Sequence, residues 1–361
     1  MIKKVQIENY RCFKSAQLEP LRQINILVGD NASGKTALLE AIKLGLDGQP
    51  ATLPYLNQLR CIYNGLPMGP TPEQFRTLFV DFFHQFDTNE DIIISMVDFA
   101  GKTAALRVHF DPSKAATIQT TIGFSPQQMP PSSSPPTTIV PLAFERTDFQ
   151  GREDTLLATL NPQGVLLFQP GKHMGIASGF LSSSYYGGFP ENASWLSQLS
   201  LEKRTEEVIH AVQRQFPFIS QLTSETPLPG FASVYADVSG LSRKIPLSLV
   251  STGISRLFTM ILAVVQFKGG VLFVDEVENG IFHHGYQALW TALIDLAKHN
   301  RTQLFITTHS LECLRALVPS LRGNEEEILL LRTEREKGSS KLTLIQGKLI
   351  QAAIEQGFDV R

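Results

Sequence analysis

The sequence predicts an α/β fold with a mainly parallel sheet flanked by helices, together with an antiparallel β meander and a helical insert. Three observations support this class. An apolar run at residues 24–28 is followed by a glycine-rich loop and a helical pattern at 35–46. Two β-branched runs, 91–98 and 103–110, flank a glycine-containing turn. Toward the end of the chain, short apolar strands alternate with helices, which is typical of a parallel sheet with crossover helices.

The composition is that of an ordinary globular chain of 361 residues, 43% apolar and 18% charged. The longest strongly apolar run, 257–267, is shorter than the roughly 20 residues that cross a bilayer, and no signal peptide is recognisable. Three scattered cysteines give neither a disulfide framework nor metal-ligand spacing. These features predict a cytoplasmic protein without a membrane partner. The net charge of −2 gives no overall attraction to DNA, so any contact with DNA would be local.

The loop at residues 29–36, GDNASGKT, satisfies the phosphate-binding pattern G-x-x-x-x-G-K-[ST] in full. A strand at 24–28 precedes it and a helix follows, which is the context that this P-loop pattern requires. Its glycines allow the backbone to curl so that successive N–H groups point at a phosphate. Lys35 is expected to reach the β- and γ-phosphates, and Thr36 to bind Mg²⁺. The residues predicted to contact the nucleotide here are Asp30, Asn31, Ala32, Ser33, Gly34, Lys35 and Thr36.

The middle of the chain is predicted to hold the meander and the insert. The hairpin at 91–98 and 103–110 is extended by a third strand at 117–124. Residues 126–136, PQQMPPSSSPP, are predicted to be a mobile loop because prolines lack N–H donors. Residues 201–216 place apolar side chains on one helical face. We predict a single domain in three parts: an N-terminal lobe at 1–125, a flexible loop and helical insert at 126–230, and a C-terminal lobe at 231–361.

The C-terminal lobe shows the clearest alternation of helices and strands. Its predicted elements are a helix at 254–267, a strand at 271–275, a helix at 283–298, a strand at 303–307, a helix at 310–318, a hairpin at 327–332 and 341–345, and a helix at 347–356. The carboxyl ends of parallel strands meet at one edge of a sheet. Polar residues directly after these strands are therefore expected beside the phosphate loop.

Those polar residues are an acidic pair and a histidine. The strand VLFV ends in Asp275, expected to bind the magnesium ion, and Glu276, expected to polarise the attacking water. The strand LFIT ends in Thr-His, where His309 is expected to hydrogen-bond the γ-phosphate or the water. Lys35, Glu276 and His309 are the predicted catalytic residues, and Thr36 and Asp275 the predicted metal ligands.

The turn STG at residues 251–253 precedes an apolar helix, where serine is also an ordinary N-cap. A phosphate loop followed by Ser-x-Gly, a strand with Asp-Glu and a strand with Thr-His resembles the ABC-type branch of the P-loop NTPases. In that family the Ser-x-Gly signature caps the γ-phosphate of ATP bound to the other subunit. The resemblance therefore implies that Ser251 and Gly253 contact the nucleotide of a partner copy. It also implies a homodimer or higher oligomer, with ATP and Mg²⁺ as cofactors.

The start of the chain, MIKKVQIENYRCF, is similar to the RecF/SMC/OLD branch of this family, in which the arginine matching Arg11 lies near the nucleotide. The segments VDEVENGIFHH and GFDVR resemble OLD-like ATPases of the AAA family, many of which belong to antiphage defence systems. This similarity places Asn279, in the turn after the acidic pair, with the nucleotide-binding residues. It covers residues 1–50 and 230–361, and the middle of the chain only loosely.

The sequence also departs from related families. The leucine, first glycine and glutamine of the transporter signature are replaced by Val250, Thr252 and Ile254, which argues against a transporter subunit. Only about fifty residues follow His309, without an Asp-x-Asp pair, so no Toprim nuclease domain is expected. No motif identifies the Q-loop glutamine of the family, and Gln58 and Gln85 are both candidates.

The favoured function is ATP binding and hydrolysis through head-to-tail dimerisation, as the sensor or motor of an antiphage defence or DNA-maintenance system. The output would be delivered by a partner effector, a nuclease or toxin. Two alternatives use the same motifs. One is a RecF-like DNA repair ATPase or clamp, which the near-neutral charge disfavours. The other is a slowly hydrolysing, nucleotide-gated binding module, because catalysis and gating use the same residues.

Overall fold

The computed structural model describes residues 1–62, 72–118, 137–161, 165–184, 191–336 and 339–355. Its strands are β1 (Ile2–Tyr10), β2 (Phe13–Leu18), β3 (Ile24–Gly29), β4 (Ile92–Asp98), β5 (Thr103–Phe110), β6 (Ala116–Ile118), β7 (Thr137–Ile139), β8 (Leu142–Thr147), β9 (Glu153–Leu160), β10 (Leu166–Phe168), β11 (Ser178–Leu181), β12 (Ile219–Leu228), β13 (Phe231–Val238), β14 (Ile245–Pro246), β15 (Val271–Val274), β16 (Gln303–Thr307), β17 (Ile328–Glu336) and β18 (Ser339–Gln346). Its helices are α1 (Lys35–Asp47), α2 (Thr52–Leu59), α3 (Pro72–Val80), α4 (Asn192–Leu201), α5 (Thr205–Gln215), α6 (Leu247–Val250), α7 (Thr252–Gln266), α8 (Tyr286–Asn300), α9 (Leu311–Leu321) and α10 (Lys348–Glu355).

The functional end of the molecule is organised by a six-stranded sheet in the order β11-β15-β16-β3-β17-β18. The first five strands of this order are parallel, and β18 returns antiparallel to β17. Strands β3, β15 and β16 are buried along their whole length. Their largely apolar sequences follow from burial on both faces, as in other parallel sheets. The predicted α/β class with a mainly parallel sheet is confirmed.

Each face of this sheet has its own hydrophobic core. Leu272 and Val274 point into one core together with helices α7, α8 and α9. Val271 and Phe273 point into the other, which holds α1 and the strands of a second sheet. This alternation is the two-residue period of a β-strand. Helix α1 and helix α7 therefore lie on opposite faces of the parallel sheet.

The second sheet contains the predicted meander and has more strands than predicted. Its seven strands run β10-β9-β8-β5-β4-β1-β2, with every pair antiparallel. The predicted hairpin is present as β4 and β5, with Ile92 opposite Val108. One face of this sheet covers α1, because Ile94 and Met96 of β4 lie within contact distance of Gly45 of α1. The meander therefore fixes the helix that follows the phosphate loop.

Several elements in the middle of the chain differ from the prediction. Strands β8 to β11 lie within 126–230, where only a loop and helices are expected. Strand β9 pairs with β8 and β10, its neighbours in sequence, whereas β11 pairs with β15, which is distant in sequence. The helix expected at 201–216 is present as α5, which begins at Thr205, and it is preceded by α4, which was not predicted and ends at Leu201. Between the two helices, Lys203 has a left-handed backbone (φ 59°). The β12–β13 hairpin crosses residue 230, and the division into three parts remains a prediction.

Some predicted features fall outside the described residues. They are the loop at 126–136, most of the third strand at 117–124, and the C-terminal GFDVR. Of that third strand, β6 is described, and it pairs with β7. Within the described ranges, none of the helices combines the length and the apolar character needed to span a membrane.

Candidate functional site

The phosphate loop occupies the turn between β3 and α1. Three of its residues have positive φ angles: Gly29 (140°), Ala32 (62°) and Gly34 (105°). A Cβ atom on Gly34 would lie 2.8 Å from Cys12 Sγ and 2.9 Å from Phe13 Cζ. Glycine is therefore required there both by backbone conformation and by space. The resulting turn leaves the first N–H groups of α1 without intrahelical acceptors, which is the arrangement that binds phosphate.

Strand β17 packs against the phosphate loop and supports it through Thr333. A Cβ atom on Gly29 would lie 2.1 Å from the carbonyl oxygen of Thr333, so only glycine fits. The Thr333 hydroxyl donates to the Val28 carbonyl (3.1 Å) and is 2.6 Å from Ser33 Oγ. The Ser33 side chain is buried and thus faces the sheet. Ser33 can serve a nucleotide only through its backbone, and Thr333 is a supporting residue that no sequence motif indicated.

The Lys35 side chain folds back and contacts the first residues of the phosphate loop. Its Nζ donates to the carbonyl oxygens of Gly29 (2.6 Å) and Asp30 (2.8 Å). Burial lowers the pKa of Lys35, and the nearby carboxylates of Asp275 and Glu276 oppose that shift. The two carbonyl oxygens are neutral acceptors, whereas a γ-phosphate would give the Lys35 ammonium group a negatively charged partner and a stronger hydrogen bond.

The acidic end of β15 meets the start of α1. Thr36 Oγ1 donates to the carboxylate of Asp275, at 3.1 Å from Oδ1 and 3.3 Å from Oδ2. Thr307 at the end of β16 donates to Oδ1 at 2.7 Å, and Ser183 after β11 to Oδ2 at 3.4 Å. Burial raises the pKa of Asp275, and the hydrogen bonds from Thr307 and Thr36 oppose the rise. A buried carboxylate surrounded by hydroxyl oxygens fits Mg²⁺, which prefers oxygen ligands.

Glu276 is held in an unusual backbone conformation directly after Asp275. Its φ angle is 49°, in the left-handed region, and its N–H donates to Thr307 Oγ1 at 2.7 Å. The turn that follows brings Asn279 back, and the Asn279 side-chain amide donates to Glu276 Oε2. The Glu276 side chain is 37% exposed. Its carboxylate is therefore oriented by the protein yet open to a water molecule.

His309 lies beside this turn at the end of β16. Its Nδ1 is 3.1 Å from Oε1 of Glu278 and 4.0 Å from Oε1 of Glu276. The same Glu278 oxygen accepts the backbone N–H groups of His309 (2.9 Å) and Ser310 (3.1 Å). Glu278 is buried, so this contact fixes the start of the segment that carries the imidazole. The sequence analysis gave Glu278 no role, although it is the third acidic residue in the run DEVE.

The signature turn, residues 251–253, lies at the start of α7. Ser251 is the N-cap, and its Oγ accepts the Ile254 N–H at 3.5 Å. A Cβ atom on Gly253 would lie 2.7 Å from the carbonyl oxygen of Gly280, in the turn after Glu276. Two large apolar side chains are exposed, Leu249 (74%), which comes just before the signature turn, and Phe282 (70%), which comes just after Gly280. The signature turn thus touches the Glu276 turn of its own chain and carries an exposed apolar rim.

Arg256 connects the signature helix with the metal side of the site. The residue is buried one turn into α7. Its guanidinium donates to the carbonyl oxygens of Ser182 (3.0 Å) and Asp275 (3.1 Å). It therefore ties the ends of β11 and β15 together. A buried arginine in an otherwise apolar helix is the signal that would have identified it.

For Arg11 and the two candidates for the Q-loop glutamine, the structure shows no hydrogen bond or ion pair with the phosphate loop among the described residues. Arg11 Nε pairs with the buried carboxylate of Glu40 at 2.9 Å, and its guanidinium lies 4.6 Å from the Phe82 ring centre. Glu40 is one turn beyond Thr36 on α1, so this contact supports α1 rather than showing a nucleotide contact. Gln58 on α2 and Gln85 on the turn before β4 are both exposed.

Two family models match the chain over separate segments. A model described as an AAA domain matches residues 4–120, which include the phosphate loop. A second, described as an AAA domain, putative AbiEii toxin, Type IV TA system, matches residues 187–315, which include the signature turn, Glu276 and His309.

The chain is also similar to individual proteins of known sequence or structure. An ATP/GTP phosphatase of Helicobacter pylori is 24% identical over 344 residues, which are 90% of each chain. The DNA replication and repair protein RecF of Desulforamulus reducens is 51% identical over 47 residues, 13% of each chain. A solved SMC head bound to the C-winged helix domain of ScpA covers 97% of this chain and 99% of its own, with a TM-score of 0.49 and 12% identity.

These matches agree with the motifs along the chain. The phosphate loop, the Asp-Glu strand and the Thr-His strand meet at one edge of a parallel sheet, as nucleotide hydrolysis requires. The matched relative of nearly full length is named for the same activity. Together, the motifs and these matches support the assignment of the chain as an ABC-type P-loop ATPase of the RecF/SMC branch.

Proposed function

We propose that the protein works as a head-to-tail homodimer whose two chains enclose two ATP molecules. Each nucleotide would lie between the phosphate loop of one chain and the signature turn of the other. The observation that carries this proposal is the placement of α1 and α7 on opposite faces of one sheet. Ser251 begins α7 on a surface rimmed by the exposed Leu249 and Phe282, which a second chain would cover.

In this proposal the residues of the phosphate loop bind and orient the nucleotide. Lys35 leaves its two carbonyl partners and pairs with the β- and γ-phosphates. The backbone N–H groups of residues 30–36 surround the phosphates. Thr36 and Asp275 hold the magnesium ion, which when bound neutralises charge that develops on the transferred phosphoryl group.

Glu276 takes a proton from the attacking water. The Asn279 amide holds one carboxylate oxygen, so the other is directed to the water. His309 lies beside Glu276 and donates a hydrogen bond toward the γ-phosphate, while Glu278 fixes its orientation. On the partner chain, the helix start at Ser251 supplies N–H donors over the γ-phosphate.

We further propose that closing and opening of the dimer drives a partner effector, a nuclease or toxin, in an antiphage defence or DNA-maintenance system. Support comes from the description of the matched C-terminal model, which refers to a putative AbiEii toxin and a type IV TA system. A RecF-like role on DNA is less well supported, because the RecF match covers 47 residues. The net charge of −2 also provides no general attraction to DNA.

Glu276→Gln tests this proposal. The glutamine side chain keeps the Asn279 contact but cannot accept a proton, so turnover should fall by about 10²–10⁴-fold, the contribution of a general base. The variant should also accumulate as an ATP-bound dimer. Steady-state ATP hydrolysis, with and without DNA, and the molecular mass in ATP and Mg²⁺ by light scattering measure the two effects.

Glu206→Gln is the matched control, since Glu206 is an exposed acid on α5 and should leave both measurements unchanged. Unchanged turnover in Glu276→Gln would refute the base assignment. A wild-type chain that stays monomeric with ATP, together with a monomeric Glu276→Gln, would refute the head-to-tail dimer.

A further inference from the structure

We propose that Ser183 is a third protein ligand on the magnesium side of this site, supplying its hydroxyl oxygen beside Thr36 and Asp275. The inference rests on the proposed function, because it concerns the ion that accompanies ATP. Ser183 belongs to no motif in the sequence. Its position depends on a short strand that the sequence did not predict.

The strand order brings Ser183 to the metal side. Strand β11 is the parallel neighbour of β15, with Ser178 opposite Val271 and Leu181 opposite Val274. The Asp275 N–H donates to the Leu181 carbonyl at 2.9 Å, so the two strands end at the same level. Residues that follow β11 therefore lie beside the residues that follow β15.

The contacts of the Asp275 carboxylate single out Ser183. Three hydroxyls surround this carboxylate, those of Thr36, Thr307 and Ser183. Thr307 already makes two short hydrogen bonds, since it donates to Oδ1 at 2.7 Å and accepts the Glu276 N–H at 2.7 Å. Ser183 makes a longer contact of 3.4 Å with Oδ2 and is partly exposed. Its hydroxyl can turn a lone pair toward a cation without losing a strong bond.

The backbone around Ser183 is held in place by its neighbour Ser182. The Ser182 hydroxyl donates to the Leu59 carbonyl at 2.9 Å and accepts the Ser184 N–H at 3.2 Å. The Ser182 carbonyl accepts a hydrogen bond from the Arg256 guanidinium at 3.0 Å. A ligand carried by a backbone fixed at both sides needs little ordering when the ion binds.

The chemistry of the set matches the ion. Magnesium demands oxygen ligands in a nearly octahedral arrangement. One carboxylate, two hydroxyls and two phosphate oxygens of the nucleotide would leave one position for a water molecule. With Ser183 included, the protein ligands would come from α1 and from the residues that directly follow β15 and β11.

The test is the affinity of Mn²⁺, used as a spectroscopic substitute for Mg²⁺, for the full chain saturated with the ATP analogue AMP-PNP. Free Mn²⁺ is measured by electron paramagnetic resonance. Ser183→Ala should weaken Mn²⁺ binding by about 10-fold, at the lower end of the effect of losing a residue that supports a metal site. Ser183→Thr, which keeps the hydroxyl, should restore most of it. Ser184→Ala is the matched control, an exposed serine one position further along.

Each outcome has a separate meaning. A wild-type chain that binds no Mn²⁺ with AMP-PNP refutes the proposed function itself. A wild-type chain that binds it, with Ser183→Ala equal to wild type, refutes only the ligand assignment. Equal losses in Ser183→Ala and Ser184→Ala also refute it, since they would show a general disturbance of the segment. Loss in Ser183→Ala alone, with rescue by threonine, supports it.

Discussion

The two ends of the proposed ATP site differ in how complete they are within one chain. At the phosphate-loop end, side chains already bond to one another: Lys35 to loop carbonyls, Thr36 and Thr307 to Asp275, and Asn279 to Glu276. At the signature end, the Ser251 side chain makes a 3.5 Å capping contact, and the large apolar side chains of Leu249 and Phe282 are exposed. One end is organised for catalysis in the isolated chain, whereas the other has the character of an interface.

The difference shows which effects a mutation should have at each end. Changes at the phosphate-loop end should alter nucleotide or metal binding in a single chain. If the proposed dimer forms, changes at the signature end should leave single-chain binding intact and act on association, because that end would contact the second chain. Three further predictions test this separation.

The largest effect is expected from Ser251→Arg. The arginine would occupy the space over the helix start where the γ-phosphate of the partner is expected. ATP-driven dimerisation should be abolished and turnover reduced by about 10²-fold or more, the effect of losing a preorganised donor set. The affinity of the monomer for ATP should remain within about 2-fold of wild type. Light scattering, steady-state hydrolysis and titration with a fluorescent ATP analogue measure these quantities.

Ser251→Ala is the companion variant, because it removes the cap without adding bulk and should cost about 1 kcal/mol of helix stability. Loss of ATP binding by the Ser251→Arg monomer would contradict the separation of the two ends. Gly253 is a poorer choice for this test. Any side chain there would meet the Gly280 carbonyl at 2.7 Å and disturb the turn that follows Glu276.

A smaller effect is expected from Phe282→Ser. If the exposed phenyl group becomes buried between chains, its removal should weaken the ATP-bound dimer by about 10- to 100-fold, which corresponds to roughly 1.5–3 kcal/mol for burial of a large apolar side chain. Sedimentation equilibrium in ATP and Mg²⁺ on the Glu276→Gln background measures the dissociation constant. Leu201→Ser is the control, since Leu201 is 88% exposed at the end of α4. An unchanged dimer with Phe282→Ser would remove this side chain from the interface.

The smallest effect is expected at the other end, from Asp275→Asn without nucleotide. Burial raises the pKa of Asp275 above that in the unfolded chain. Its contribution to stability is therefore fully present below the ordinary aspartate pKa and is lost as the pH rises through the raised pKa. At pH 7–8 the neutral asparagine should raise the melting temperature by about 1–3 °C.

Calorimetry at several pH values checks this prediction. The advantage of Asp275→Asn should shrink as the pH falls toward the ordinary aspartate pKa, because wild-type Asp275 then becomes protonated. Addition of ATP and Mg²⁺ should stabilise wild type more than the variant. A variant less stable than wild type at pH 8 would show that the carboxylate hydrogen bonds outweigh the cost of burying the charge.

Much of the phosphate-loop end was predictable because its signals are local. Residues 29–36 form a complete motif, and β15 and β16 are apolar runs that end in polar residues. Parallel pairing then brings Asp275 and His309 to one edge. The start of α7 was likewise recognisable from a serine followed by an apolar helix.

The features of the site that the sequence did not predict depend on contacts between residues that are distant in sequence. Strand β11 has only four residues and contains a glycine, so no periodicity indicates it, and Ser183 could not be placed without it. Thr333 supports the phosphate loop across a separation of about 300 residues. The role of Glu278 depends on where β16 ends relative to the turn after β15. Such pairings are set by packing rather than by local preference.

The close approach of Gly253 to Gly280 has a consequence for how the two nucleotides would be used. In a head-to-tail dimer, the turn carrying Glu276 serves one ATP, and the signature turn packed against it serves the other. Because a Cβ on Gly253 would lie only 2.7 Å from the Gly280 oxygen, the two turns are closely packed, and a movement of one is expected to displace the other. Hydrolysis of one ATP would therefore affect the second site. The rate of ATP hydrolysis should then depend on ATP concentration with a Hill coefficient above one.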